Sequence, residues 1–188
     1  MKSRILFMGT PDFARASLEA LIAAGADVIG VLTQPDKPRG RKMQLTPSPV
    51  KVCALEHNIP VYQPKTLRDE AFSELLASLA PELIVVAAYG KILPENVLSY
   101  PRLGCINVHG SLLPKYRGAA PIQRAIIDGE RETGVTIMYM AEGIDTGDML
   151  AKASCTIYPD DNFETLHDRL ADMGAKLLCE TVEKLEDG

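Results

Sequence analysis

The 188-residue sequence lacks several features that would decide its class at once. Its longest wholly apolar run, Leu83 to Tyr89, is seven residues, whereas a membrane helix needs roughly 20. The N-terminal stretch has no apolar segment followed by a small-residue cleavage site, so no secretory signal is predicted. The four cysteines, at positions 53, 105, 155 and 179, show no CxxC spacing. We therefore expect a cytoplasmic protein with reduced, mostly buried thiols and no zinc site.

Two nucleotide-binding signatures are also missing. A dinucleotide fold uses GxGxxG after its first strand, because glycines let the backbone approach a pyrophosphate. Here the corresponding turn reads GTPDF over residues 9–13, and an aspartate at a helix N-terminus would repel phosphate. The chain contains no GxxxxGK[ST] segment either. NAD and ATP binding in their usual forms are therefore not expected.

What is present is an alternation of strand and helix patterns. Strands are predicted at residues 5–8, 28–32, 60–62, 83–88, 105–108, 135–140 and 149–157. Helices are predicted from Pro11 to about Gly25, with Thr10 as N-cap, and at residues 49–58, 68–79, just after Pro94, 121–127 and 163–185. This order predicts an α/β, Rossmann-like fold, a mostly parallel sheet with helices on both faces. Ligands of such sheets bind at the carboxyl ends of strands, which points to the residues after Met8, Ala88, Val108 and Met140.

The strand that ends near residue 108 carries the most informative pair of side chains. Residues 105–118 read CINVHGSLLPKYRG, and Asn107 and His109, two apart on a strand, point to the same face. An amide and an imidazole that point together can both donate to one oxygen, which suits an oxyanion on a carbonyl under attack. Alternatively, Asn107 could cap the turn after the strand, and His109 could be a surface histidine whose hydrogen bonds are already made.

A carboxylate follows the next predicted strand, where residues 142–148 read EGIDTGD. Either Asp145 or Asp148 could hold the tautomer of a nearby imidazole and favour its protonated form. A solvated hairpin turn is an equally simple interpretation of this segment. His57 and His167 lie in helical segments without ligand-spaced partners, so we assign them surface or helix-end roles.

A proline-rich basic loop is predicted over residues 35–49. Structureless loops longer than about 12–15 residues are uncommon in compact domains and are often functional. Arg39, Arg41 and Lys42 could contact phosphates, although the loop has no interleaved aromatics for stacking on bases. The alternative is a solvated, mobile loop.

Several of these segments together resemble a known family. The segment NVHGSLLPKYRGAAPIQRAI resembles the signature of the folate-dependent formyltransferases. The stretches GTPDFA, TQPDKPRGR, PSPVKV, AAYGKILP, ETGVTIMYM and IDTGDML are similar to the branch that acts on methionyl initiator tRNA. The resemblance runs from Ile5 to about Leu185. It implies transfer of a formyl group from 10-formyltetrahydrofolate to the amino group of methionyl initiator tRNA, without a metal.

The resemblance also implies roles for individual residues. The catalytic trio would be Asn107, His109 and Asp145, with the first two donating to the oxyanion and Asp145 assisting proton relay. Folate would contact Ser111, Leu112, Leu113 and Pro114, and its pterin ring would lie against Ala88, Tyr89, Gly90, Ile92 and Leu93. The tRNA acceptor end would contact Arg39, Arg41 and Lys42.

The same resemblance describes residues 1–188 as one formyltransferase catalytic domain, with the basic loop 35–49 inserted. The C-terminal β-barrel domain of the family is absent from this sequence, and we expect a monomer that does not bind membranes. One alternative is a formyltransferase for a small amine, such as an amino-sugar nucleotide or glycinamide ribonucleotide, which would give no reason for the basic loop. Another is a folate- or tRNA-binding module without turnover, against which the intact trio argues.

Overall fold

The computed structural model describes residues 1–142 and 147–188, and within these residues the chain forms nine strands and six helices. The strands are β1 (Arg4–Gly9), β2 (Asp27–Leu32), β3 (Lys37–Arg39), β4 (Gln44–Thr46), β5 (Val61–Tyr62), β6 (Leu83–Ala87), β7 (Cys105–His109), β8 (Glu132–Tyr139) and β9 (Met149–Thr156). The helices are α1 (Asp12–Ala23), α2 (Pro49–Glu56), α3 (Glu70–Leu79), α4 (Glu95–Leu98), α5 (Pro121–Ile127) and α6 (Phe163–Asp187).

Seven strands form one sheet in the order β5–β2–β1–β6–β7–β8–β9. The pairings from β5 to β7 are parallel, and those of β8 with β7 and β9 are antiparallel. All five residues of β6 are buried, as expected for a central strand covered on both sides. The predicted mostly parallel α/β fold is confirmed.

The direction of β8 corrects one prediction about the strand ends. Because β8 runs antiparallel to β7, its last residues lie beside the start of β7, and the Met140 amide donates to the Cys105 carbonyl at 2.8 Å. The carboxyl end of β8 therefore points opposite to the carboxyl ends of β1, β6 and β7. Strand patterning alone gives no direction, so the sequence could not distinguish the two cases.

The two faces of the sheet are covered by different helices. Ile5 and Phe7 of β1 belong to the apolar cluster that includes α1 and α6. Leu6 and Met8 point the other way and pack with Phe72 of α3. This alternation is what a period-two strand imposes between two helical layers. In the described part of the chain, no helix has the length and apolar content needed to cross a membrane.

The start of α1 differs from its prediction. The helix begins at Asp12 with Pro11 as its N-cap, so Thr10 is not the cap. The Thr10 hydroxyl instead donates to the Tyr89 carbonyl at 3.0 Å, because the β1–α1 turn lies against the segment that follows β6. By contrast α2 begins as predicted at Pro49, and the Ser48 side chain accepts from the Lys51 amide.

The basic loop is not structureless. β3 and β4 pair antiparallel, with Lys37 opposite Thr46 and Arg39 opposite Gln44; we call residues 37–46 the basic hairpin. Its turn contains Gly40 and Met43, both with positive φ. All residues of the basic hairpin are exposed, so neither strand carries the apolar alternation from which a strand is predicted.

Candidate active site

A cavity of about 710 Å³ lies at the carboxyl ends of β1, β6 and β7. Its walls come from residues after each of these strands, from the approach to α5, and from the first turns of α6. Open parallel sheets bind ligands at this edge. Pro11, Ala88, Gly110 and Met140 all line it, so residues at each of the four strand ends that the sequence indicated reach the cavity.

The predicted pair from β7 lies in this cavity. Asn107 and His109 both line it, and both are buried. The Nε2 atom of His109 lies 2.8 Å from the Tyr116 carbonyl oxygen. Because a carbonyl only accepts hydrogen bonds, this nitrogen carries a proton and donates. The expectation that the amide and the imidazole share one face is confirmed.

The carboxylate of the predicted trio, Asp145, lies outside the described residues, and its role stays a prediction. Its segment connects β8 to β9, which pair as an antiparallel hairpin. Met140, just before this connection, lines the cavity. Asp148 is exposed, and its carbonyl accepts from the Tyr139 amide at 2.8 Å. The connection thus begins at the cavity wall.

The segment after β6 forms another wall. Ala88, Tyr89, Gly90 and Ile92 line the cavity, whereas Leu93 is buried and is not among its described lining residues. Gly90 has φ near 94°, and a β-carbon there would come within 2.8 Å of Gln34 Nε2. This position therefore favours glycine for its conformation, whereas the flexible end of the Gln34 side chain could move aside. Burial raises the pKa of Tyr89 to about 12, so its phenol stays neutral.

We call residues 110–118 the cavity loop, because its two end glycines line the cavity. The predicted folate residues Ser111, Leu112, Leu113 and Pro114 lie between these ends and are not among the described lining residues. Ser111 is fully buried and donates to the Lys115 carbonyl at 2.6 Å. The structure places this segment beside the cavity, and its contact with folate stays a prediction.

The cavity loop is tied to two neighbouring strands. The Thr136 hydroxyl of β8 donates to the Ser111 carbonyl at 2.7 Å and accepts from the Leu113 amide at 3.1 Å. The Lys152 ammonium of β9 donates to the Leu113 carbonyl at 3.0 Å. Since Thr136 pairs with His109 on one side and Lys152 on the other, one row of side chains across three strands holds the loop.

The predicted tRNA residues Arg39, Arg41 and Lys42 lie on the basic hairpin, away from the cavity walls. Only the hairpin's base approaches the cavity. The Gln34 amide lies 3.4 Å from the Thr10 hydroxyl, and that hydroxyl donates to the carbonyl of the lining residue Tyr89.

Three aromatic rings of the cavity wall were not predicted as site residues. His167 lines the cavity together with Phe13 and Phe163, and its ring centroid lies 6.2 Å and 5.3 Å from theirs. Its place in the cavity wall was not predicted, since we assigned His167 only a surface or helix-end role. The spacing of Phe163 and His167, four apart on a helix, puts them on one face and could have indicated this. His57 does lie at a helix end, as predicted, with Nδ1 2.9 Å from the Cys53 carbonyl.

Other chemistries find little support in the described residues. Burial raises the pKa of the Cys105 thiol to about 12, and a thiol in this state is a poor nucleophile. Among residues 1–142 and 147–188, no three His, Cys, Asp or Glu side chains cluster as metal ligands would. The polar groups of the cavity are thus suited to hydrogen bonding and proton transfer.

The sequence of the chain matches a protein family and curated relatives over most of its length. Residues 1–182 match the family described as formyl transferase. The chain is 59% identical to the methionyl-tRNA formyltransferase of Desulforamulus reducens, covering 98% of this chain and 58% of that protein. It is 58% identical to the methionyl-tRNA formyltransferase of Caldanaerobacter subterraneus subsp. tengcongensis, over 98% of this chain and 60% of that one. The chain therefore spans about three fifths of the length of these relatives.

The solved structures extend the likeness to a second group of enzymes. Phosphoribosylglycinamide formyltransferase from Bacillus halodurans superposes with a TM-score of 0.78 at 26% identity, over 97% of this chain and 94% of that one. The enzyme of the same name from Streptococcus pneumoniae gives 0.79 at 24% identity, over 97% and 98% of the two chains, and shows the same fold. By its sequence match and its architecture, the chain belongs to the formyl transferase family.

Proposed function

We propose that the chain is the catalytic part of an enzyme that transfers a formyl group from 10-formyltetrahydrofolate to the amino group of methionyl initiator tRNA. The observation that carries the proposal is the pair Asn107 and His109, buried side by side at one wall of the cavity. Curated relatives named for this activity match 98% of the chain.

The proposed reaction needs the groups that this wall supplies. The amine nitrogen attacks the formyl carbon, a new C–N bond forms, and the carbonyl oxygen becomes an oxyanion. Asn107 and the protonated ring of His109 donate hydrogen bonds to that oxygen; His109 does so through Nδ1–H, because its Nε2–H already donates to the Tyr116 carbonyl. One such donor contributes roughly 10²–10³ in rate. The bond from the formyl carbon to the folate nitrogen then breaks. That nitrogen receives the proton that the amine loses, in a relay in which we assign Asp145 a part.

The two walls of the cavity support two binding partners. We assign the wall from Ala88 to Ile92 to the folate, as the family resemblance implies. A second part of the wall, with Pro11, Phe13 and Phe163, is apolar and suits an acceptor amine with an apolar side chain.

The alternative acceptor, glycinamide ribonucleotide, carries a phosphate. Of the helix N-termini that line the cavity, that of α1 gives it little support, because α1 begins with an acid, Asp12, and not with a glycine-rich turn. A negative charge at a helix N-terminus takes up the position in which phosphate would be stabilised. The methionyl acceptor is therefore favoured over the phosphorylated one.

The basic hairpin supports a nucleic-acid acceptor. Lys37, Arg39, Arg41 and Lys42 are all exposed on it, and such cations contribute salt-dependent affinity for phosphates. We propose that the protein acts as a monomer in the cytoplasm, where the four cysteines, all free thiols in the structure, would remain reduced.

The test is formyl transfer by this chain from 10-formyltetrahydrofolate to methionyl initiator tRNA, with glycinamide ribonucleotide as the competing acceptor. We expect transfer to the tRNA, a loss of about 10²–10³ in kcat for His109→Ala, and no loss for the matched control His57→Ala. Near-normal turnover by His109→Ala would contradict the mechanism. Transfer to glycinamide ribonucleotide alone would establish the small-amine alternative, and folate binding without transfer to either acceptor would favour a binding module.

A further inference from the structure

The residue that holds the imidazole of His109 has an unusual backbone. Tyr116 has φ near 57°, in the left-handed region that residues other than glycine seldom occupy. Its carbonyl oxygen accepts the Nε2 proton of His109 at 2.8 Å. A non-glycine residue keeps such a conformation only where its surroundings hold it there, so the contacts of its side chain become informative.

The side chain of Tyr116 is held by three charged groups. Its hydroxyl oxygen lies 2.8 Å from Asp128 Oδ2 and 3.0 Å from Glu130 Oε1, so its one proton is shared between two carboxylates. The guanidinium of Arg124 lies 5.3 Å from the ring centroid, a cation–π distance. These contacts join the end of the cavity loop to α5, which contains Arg124, and to the two carboxylates that follow this helix.

The carboxylates also keep the hydroxyl a donor. The hydrogen bond to Asp128 is the main cause that raises the pKa of Tyr116, with burial and Glu130 adding to it. The phenol is therefore protonated throughout the neutral range, and the charge-assisted bond is of the stronger kind.

We propose that Tyr116 is a positioning residue for the transfer reaction: its hydroxyl, held by Asp128 and Glu130, fixes the carbonyl that orients the imidazole of His109. The proposal rests on the function proposed above for His109. The carbonyl stabilises every form of the ring that has a proton on Nε2 and disfavours the tautomer protonated only on Nδ1. It therefore sets both the direction and the tautomer of the ring that faces the reacting carbonyl.

The rest of the cavity loop does not depend on this hydroxyl. Thr136 and Lys152 hold the first half of the loop, through Ser111 and Leu113. In the second half, Lys115 is held by Ser111 and Glu130, and the Arg117 carbonyl accepts from Arg124. Removing the Tyr116 hydroxyl thus loosens Tyr116 itself, next to His109 Nε2, while the rest of the loop keeps its ties. A local effect on the imidazole is expected, with little change in the fold.

The test compares Tyr116→Phe with Tyr158→Phe. Tyr158 is a matched control, because an arginine guanidinium, that of Arg169, also lies 5.0 Å from its ring centroid, and it does not contact His109. We measure the imidazole ¹⁵N shifts of His109 and the kinetics of transfer. For Tyr116→Phe we expect Nδ1–H tautomer to accumulate and kcat to fall roughly tenfold, with KM for folate within about twofold, because small misplacements of reacting groups cost rate before binding. Tyr158→Phe is expected to match the parent chain.

Substituting the two carboxylates that accept from the Tyr116 hydroxyl tests the same interaction through its acceptors. The double variant Asp128→Ala/Glu130→Ala removes both acceptors and is expected to reproduce Tyr116→Phe, while Glu130→Gln keeps an acceptor and is expected to retain kcat. Unchanged ¹⁵N shifts and kcat in a folded Tyr116→Phe would overturn the proposal. If the parent chain transfers no formyl group, the proposed function fails, and the ¹⁵N shifts alone still decide whether Tyr116 positions His109.

Discussion

The cavity loop and the basic hairpin are two irregular segments that follow strands of the same sheet, and they are held in opposite ways. Side chains from β7, β8 and β9 and the residues after α5 all hold the cavity loop. The basic hairpin is held by its own β3–β4 pairing, and all of its residues are exposed. The first arrangement suits a segment that must fix a reacting group within a fraction of an ångström, and the second suits one that must reach a large partner.

The base of the basic hairpin is nevertheless fixed. The hydroxyls of Thr33 and Ser48 lie 2.6 Å apart across it, and Lys51 forms an ion pair with Asp36 at 3.0 Å. Gln63 of the neighbouring segment donates to both Gln34 and Asp36. The hairpin is thus an exposed arm on a base that side-chain contacts hold, whereas such contacts hold the cavity loop at several points along its length.

If the cavity loop is held by the side chains around it and the basic hairpin is not, the largest loss of stability is expected for Thr136→Val, beside the cavity loop. Valine keeps the shape but removes the hydroxyl, which leaves the Leu113 amide and the Ser111 carbonyl without this partner in a fully buried place. An unpaired buried polar group costs about 1–3 kcal/mol, so the free energy of unfolding in urea should fall by roughly that amount.

The matched control for that substitution is Thr181→Val in α6. Thr181 is also buried, but its hydroxyl donates to the Leu177 carbonyl of its own helix, a carbonyl that keeps its helical partner when the hydroxyl is gone. We expect a much smaller loss of stability. Equal losses for the two variants would mean that the tie to the cavity loop contributes nothing specific.

The contrast also explains what the sequence could and could not predict. Asn107 and His109 were predictable because a strand's period of two and a glycine after it fix their face and their place at the sheet edge. The position of β6 was predictable because all five of its residues are apolar. The direction of β8 was not, because apolar patterning is the same in parallel and antiparallel strands that are buried on both faces.

The contacts of the loops could not be predicted from the sequence, for a different reason. The tie from Tyr116 to Asp128 and Glu130 spans a helix, and the place of His167 depends on how α6 packs against α1. The first does not follow from local spacing, and the spacing of Phe163 and His167 indicates only that they share a face, not what that face packs against. The β3–β4 pairing was missed because its strands are polar and exposed, so that backbone hydrogen bonds alone define them.

A substitution in the arm of the basic hairpin is expected to act on tRNA use alone. Arg41→Ala removes an exposed cation, and in our proposal that cation contacts a phosphate. We expect a severalfold higher KM for methionyl initiator tRNA, a salt slope smaller by about 0.7–0.9, and unchanged affinity for folate. Arg131→Ala, which removes an exposed arginine just before β8, is the control and is expected to leave both unchanged. An unaltered salt slope for Arg41→Ala would exclude a phosphate contact at this position.

The smallest expected effect lies at the base of the basic hairpin and depends on pH. Hydrogen bonds from Gln63 and Lys51 lower the pKa of Asp36 below its usual value, so the folded state binds the Asp36 proton less readily than the unfolded chain does. The stability that this gives is present above the unfolded pKa of about 3.9 and is lost as pH falls through the folded pKa. Asp36→Asn should therefore be less stable than the parent chain at pH 7, and the difference should close as urea unfolding is repeated at pH values below 4. A difference that persists undiminished at pH 2 would show that hydrogen-bond geometry, and not the charge of Asp36, fixes the base of the arm.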